Sequence, residues 1–145
     1  MKRFIQIVSL LLVMAVFLTT PVFAAEANSQ RASLFFTSGS AYFSNVSSEK
    51  VDVWFDVNAT GMMTELGASK IKVQQSSDKV NWTTVQTYYK ADYSQMTANG
   101  AFTYAASVPF YYTDGYYYRA VVTLYARNSS GTGEMDTTSP VLDLR

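Results

Sequence analysis

The sequence predicts an all-β protein, an antiparallel sandwich of seven or eight strands, and three observations carry that prediction. From residue 33 onward, short runs of Val, Ile, Thr, Tyr and Phe alternate with Gly, Asn, Asp and Ser punctuation at regular spacing. Within those runs apolar residues recur at every second position, and no segment carries a long helical period. The 145 residues are 48% hydrophobic and 15% aromatic, which is material for one core and therefore one domain.

The chain opens on Met1, Lys2 and Arg3, then an apolar run from Phe4 to Leu18, then Thr19 to Ala24. This reads as a secretory signal peptide over residues 1–24, cleaved after Ala24, with Ala25 or Ala27 as alternatives. The apolar run is short for a bilayer span and Pro21 ends it, although an uncleaved anchor is the competing reading. The domain then covers residues 25–145, with 25–32 a loose polar lead. Loss of Lys2 and Arg3 leaves nine basic residues against eleven acidic ones, a net charge of −2. Such a chain has no global attraction for nucleic acid or, after cleavage, for a membrane.

Each element has its own pattern. Ser33 to Thr37 and Ala41 to Ser44, joined at Ser38-Gly39, read as a first hairpin or one kinked edge strand. Val51, Val53, Phe55 and Val57 alternate with Asp52, Trp54 and Asp56, a strand with one buried face. Thr60 to Ala68 reads as a loop that tucks its apolar residues onto the core. Ser69 to Ser76 is a strand with Ile71 and Val73 on one face and Lys70, Lys72 and Gln74 on the other. Ser77 to Asn81 is a turn, and Trp82 to Tyr89 resumes as a strand. Lys90 to Gly100 is polar and ends in the turn dipeptide Asn99-Gly100, before a short strand from Ala101 to Val108. Thr113 to Gly115 is a turn. Tyr116 to Arg127 then reads as the longest strand, Asn128 to Gly133 as a loop, and Glu134 to Leu144 as a last strand that Pro140 makes an edge strand or a bulged one.

The segment Lys70 to Val85, with Ser77, Asp78 and Trp82 in its turn, followed by Gly115 to Gly131 with Tyr116, Tyr118 and Arg119, resembles a fibronectin type III domain. In that family a third strand enters a Ser-Asp-x-x-x-Trp turn and a sixth reads Tyr-x-Tyr-Arg-Val before an Asn-x-x-Gly loop. The resemblance covers about half the chain and implies a recognition or spacer module without catalytic residues. Phe55 stands where the family usually buries a Trp, and an immunoglobulin-like or jelly-roll sandwich fits the same pattern. The whole also resembles the small exported β-domain proteins of Gram-positive bacteria.

With no Cys and no His, thiolate nucleophiles, imidazole bases, disulfides and nearly all zinc or transition-metal sites are excluded, and no cofactor is expected. Asp52 and Asp56 share a face but lie roughly 13 Å apart along a strand, too far for a glycosidase carboxylate pair. Glu134 and Asp136 look like surface charge. The Ser-x-x-Lys strings at Ser47 and Ser76 fall in loops, where that chemistry has no helix to support it. Asp78 and Asn81 offer calcium too few oxygens. The expectation is a protein that is not an enzyme.

Two binding candidates remain. With the family's facing, Tyr117, Arg119, Tyr125 and Arg127 point outward beside Lys70 and Lys72, an aromatic and basic stripe suited to a sugar ring or an acidic partner. The plain alternative is cross-strand pairing, such as Arg127 with Glu134. Trp54, outward between Asp52 and Asp56, is suited to stacking on a carbohydrate, unless the N-terminal segment or the loop from Thr60 covers it. Tyr88, Tyr89, Tyr93, Tyr111 and Tyr112 form a second concentration near loop ends, which suits recognition as well as packing. The expected function is a secreted, extracellular binding module for a carbohydrate or protein at a cell surface. The alternatives are a self-assembling structural protein that pairs edge to edge through its first or last strand, and a hydrolase inhibitor. Four Asn-x-Ser/Thr sequons, at Asn45, Asn58, Asn81 and Asn128, matter only if the source glycosylates.

Overall fold

The computed structural model describes Ala32 and residues 34–145, so the signal peptide and nearly all of the N-terminal lead lie outside the described residues. Seven strands follow: β1 (Phe36–Ser44), β2 (Lys50–Ser76), β3 (Thr83–Tyr89), β4 (Thr97–Tyr111), β5 (Tyr116–Asn128), β6 (Gly131–Thr138) and β7 (Leu142–Leu144). One 3₁₀ turn, Ser94–Met96, precedes β4. Every pairing is antiparallel, in a single sheet with the order β1-β2-β5-β6; β3 and β4 also pair β2, and β7 pairs β5.

The first half of β2 lies between β1 and β4, in register as Tyr42↔Trp54↔Ser107. Its second half lies between β5 and, on the other edge, first the start of β4 and then β3. The sheet curls around this strand. A Cβ added to Gly39 of β1 would stand 2.1 Å from Leu124 Cδ1 of β5, so the first strand rests directly on the fifth. The alternating positions Val51, Val53, Phe55 and Val57 meet Ile71, Val73, Val122 and Leu124 in one core, all without exposure. The facing expected of β5 is observed, with Tyr118, Ala120, Val122, Leu124 and Ala126 turned inward.

Several boundaries differ from expectation, among them β4, which extends beyond Ala101 to Val108 at both ends, and β6, which takes Gly131 to Gly133 from the expected loop. The stretch Thr60 to Ala68 is strand, because β4 and β5 take up its backbone groups from Met63 onward. Met63 and Leu66 are buried as the tucked loop required. β2, with 27 residues, is therefore the longest strand, ahead of the 13 residues of β5. Asn99-Gly100 lies inside β4, where Gly100 (φ +63°) supplies a left-handed kink beside the register shift between Asn58 and Met63 of β2. At the N-terminus Leu34 and Phe35 are helical, and of the two readings of the first segment the kinked edge strand is observed, β1 being continuous with a register shift between Phe36 and Ser38.

The last strand is divided at Ser139 to Val141 into β6 and β7. Pro140 has no N–H to give a ladder, and Ser139 bridges the gap. Its N–H donates to the Ala120 carbonyl at 2.9 Å, and its hydroxyl accepts from the Ala120 N–H at 2.9 Å.

Candidate functional site

The outer face of β5 brings the aromatic and basic residues together, and they engage one another. Tyr117 is only 6% exposed, because Lys79 Nζ lies 4.2 Å and the Arg145 guanidinium 4.0 Å from its ring centre. The Arg119 guanidinium sits 4.3 Å from the Trp82 ring, while its Nε donates to Gln74 Oε1 at 2.8 Å. Lys90 Nζ lies 3.6 Å from the Tyr125 ring and pairs with Glu65 at 2.9 Å. Each aromatic of this stripe thus has an internal cation on its face, a contact worth about 0.5–1 kcal/mol at exposed sites.

Arg127 pairs with Glu65 at 3.2 Å, not with Glu134. The register explains the change, since Arg127 stands opposite Thr132 and Tyr125 opposite Glu134. Glu134 instead accepts from Ser69 Oγ at 2.8 Å, and Asp136 accepts from Thr123 Oγ1 at 2.6 Å. Lys70, Thr123, Tyr125, Glu134 and Asp136 border an open groove of about 490 Å³ along β5 and β6. Lys72 is half-buried on the same face, two positions along β2.

Trp54 is placed differently. It lies at the centre of the outer face formed by β1, the first half of β2, and β4. Tyr42, directly opposite on β1, stacks beside it with ring centroids 6.3 Å apart and planes within 6° of parallel. Tyr42 is 40% exposed and Trp54 half-buried. On the β4 side the facing residue is Ser107 and its outward neighbour Ala105, both too small to cover an indole ring. The indole N–H has no hydrogen-bond partner among the described residues and no contact with solvent. A donor left in that state costs about 1–3 kcal/mol.

Two carboxylates flank the ring pair on the same face, one on each side of Trp54 along β2. Asp52 is fixed by Lys50 at 3.3 Å and by Asn45 Nδ2 at 2.9 Å. Asp56 accepts from Ser40 Oγ and has no ion pair among the described residues. Tyr42 carried a signal in the sequence, since it alternates with Ala41 and Phe43 on the first strand. Its opposition to Trp54 depends on the register, which no local pattern states.

The remaining tyrosines divide. Tyr88 is buried, donates to the Pro109 carbonyl at 2.7 Å, and meets Tyr93 edge-on at 5.1 Å. Burial, and secondarily Tyr93 and Tyr111, push its hydroxyl up to about 12. Tyr112 donates to the Ser47 carbonyl, whereas Tyr89 and Tyr111 are 51% and 71% exposed. Asp78 serves its own turn. Its carboxylate accepts from the Asn81 and Val80 N–H groups, the Asn81 side chain and Ser76 Oγ, which hold it well below the usual carboxylate range.

No family model matches the chain, and no curated protein matches it. Among solved structures it is similar to a Northeast Structural Genomics Consortium target at 7% identity and TM-score 0.44, covering 77% of this chain and 86% of that one. It is also similar to a late embryogenesis abundant protein at 12% identity and TM-score 0.45, covering 99% and 87%. A β-glucosidase from Kluyveromyces marxianus in complex with glucose aligns at 14% identity and TM-score 0.34, over 73% of this chain and 14% of that one. At such scores and identities these likenesses carry no argument about function.

Proposed function

We propose that the chain is an exported, non-catalytic β-sandwich module that binds a cell-surface glycan or protein through the face bearing Tyr42 and Trp54. The observation that carries the reading is the parallel Tyr42–Trp54 ring pair, open on its β4 side and flanked by Asp52 and Asp56. Such a pair offers a flat apolar platform with hydrogen-bond acceptors at its margin, which suits the apolar face and the hydroxyl edge of a pyranose. The β5 stripe is the weaker candidate, because its rings already hold cations.

The fibronectin type III or immunoglobulin-like reading belongs to this proposal and draws support from the strand order. When β2 is counted as two strands, β1–β2–β4 corresponds to the A–B–E neighbours and β2–β5–β6 to the C–F–G neighbours of such sandwiches. Export rests on the leader-like residues 1–24.

The test is a screen of the chain from Ala25 onward against cell-wall and host polysaccharides and whole cells. Saturable binding that Trp54→Ala or Tyr42→Ala abolishes, with little change in melting temperature, is the expected result. Binding that persists in both variants refutes the site.

A second reading, self-association, has its own observation. β4 pairs only β2 among the described residues, and its 15 residues include no charged side chain to guard the other edge. This supports β4, rather than the first or last strand, as the edge for such pairing. Light scattering across concentration decides it, and a strict monomer removes it.

A further inference from the structure

We infer that the Trp54 face is a track for a linear, non-anionic polysaccharide, with Tyr111 as a third aromatic contact; this rests on the reading of Trp54 as a binding residue. The register puts Lys50 opposite Tyr111, Asp52 opposite Pro109 and Trp54 opposite Ser107. Since alternate residues share a face, Tyr111, Pro109 and Ser107 lie on the side of the sheet that carries Trp54, opposite to buried Phe110 and Val108. Tyr111 is 71% exposed, although it is large and apolar enough to pack. Four residues of strand separate it from the row of Tyr42 and Trp54, so it stands about 14 Å from Trp54 across one strand spacing. A single terminal sugar cannot touch both rings, and a chain of several units can.

The surface between the rings has the matching character. Asp52 and the exposed Pro109 lie in the row beyond Trp54, toward Tyr111, and Asp56 and Ser40 lie in the row on its other side. Asp52, Asp56 and Ser40 can accept from hydroxyls, and the Pro109 ring adds apolar surface. The one described cation in these rows, Lys50, is already held by Asp52 at 3.3 Å. A uronic or sulfated chain would therefore meet two carboxylates without a free cation, whereas a chain bearing hydroxyls or amines meets acceptors.

Isothermal titration of the chain from Ala25 onward tests this, with β-1,4-linked glucose and N-acetylglucosamine oligomers of two to six units and polygalacturonate as the anionic comparator. The expected result is affinity that rises about three- to tenfold between the shortest and longest oligomer of the binding series, as one added ring contact allows. Tyr111→Ala should erase that rise and leave the disaccharide affinity unchanged, and Tyr111→Phe should retain it. Trp54-dependent binding with no length dependence, or a Tyr111→Ala variant that matches the parent, overturns the track and leaves the Trp54 site standing. Polygalacturonate binding as tightly as the neutral oligomers overturns the charge argument. Absence of any Trp54-dependent saccharide binding overturns the track together with the glycan form of the proposed function.

Discussion

Gly67 is where the structure leaves the least room, and replacing it with Ala gives a sharp prediction. It lies in β2 with Thr97 of β4 opposite on one edge and Tyr125 of β5 on the other. A Cβ there would stand 2.0 Å from the Met96 carbonyl oxygen, 2.7 Å from Thr97 Cα and 3.0 Å from the Met96 carbonyl carbon. All three atoms are backbone, so no rotamer change relieves the clash, and β4 must retreat by more than an ångström. Retreat breaks the pairing of Gly67 with Thr97 and of Leu66 with Ala98, at about 1 kcal/mol for each lost hydrogen bond. It also loosens Met96, which has no exposure in the native fold, and a disturbed core side chain of that size adds about 1–3 kcal/mol. The sum is about 3–5 kcal/mol, a large part of the total stability of a domain this size. Urea unfolding followed by tryptophan fluorescence measures it, with Gly61→Ala as control, since nothing lies within 4 Å of a Cβ at that position. Gly61→Ala should change stability by less than about 0.5 kcal/mol, or raise it slightly. A Gly67→Ala protein within about 1 kcal/mol of the parent would refute the close packing of β4 on β2.

Two further outcomes follow from buried polar groups. Trp54→Phe removes an indole N–H that has no partner among the described residues, and the relief of about 1–3 kcal/mol offsets the lost ring area, so its unfolding free energy in urea should stay within about 1 kcal/mol of the parent. A loss well above that would mean the N–H is satisfied in solution. Tyr88 has a folded pKa raised to about 12 from 10.0, so the native state holds its proton more tightly than the unfolded one. Its contribution is complete below pH 10 and drains as pH rises toward 12, by about 2 kcal/mol. Melting temperatures of the parent and Tyr88→Phe should therefore converge or cross over that interval, and parallel curves would sink the assignment.

The strands whose two faces differ in polarity were legible in the sequence. Val51 to Val57 and Tyr118 to Ala126 alternate, and the positions the alternation names are buried, with Thr123 of the outer face buried in addition. Pro140 marked the last segment as an edge or bulged strand, because a missing donor is a local fact, but its division into two strands was not legible. What was not legible depends on partners far along the chain. Thr60 to Ala68 has the glycines and polar residues of a loop, and it is strand only because β4 and β5 arrive to take its backbone groups. Asn99-Gly100 is a turn signal by composition, yet in β4 the same left-handed glycine serves a kink. At the candidate sites, residue type identified Trp54 and the outward tyrosines. Whether a ring is open or capped was decided by Lys79, Lys90 and Arg145, which come from other elements and carry no mark of that role in sequence.

The length of β2 also governs how the molecule can come apart. Because that strand pairs with β1, β3, β4 and β5, melting it disrupts both halves of the sheet at once, whereas β6 and β7, which pair only β5 among the described residues, can fray without it. The strands packed around β2 should therefore lose their structure in one step, with fraying confined to the outer strands. Proteases cut the opened state, so a domain without a disulfide gains resistance to digestion from a central strand that cannot open without most of its sheet.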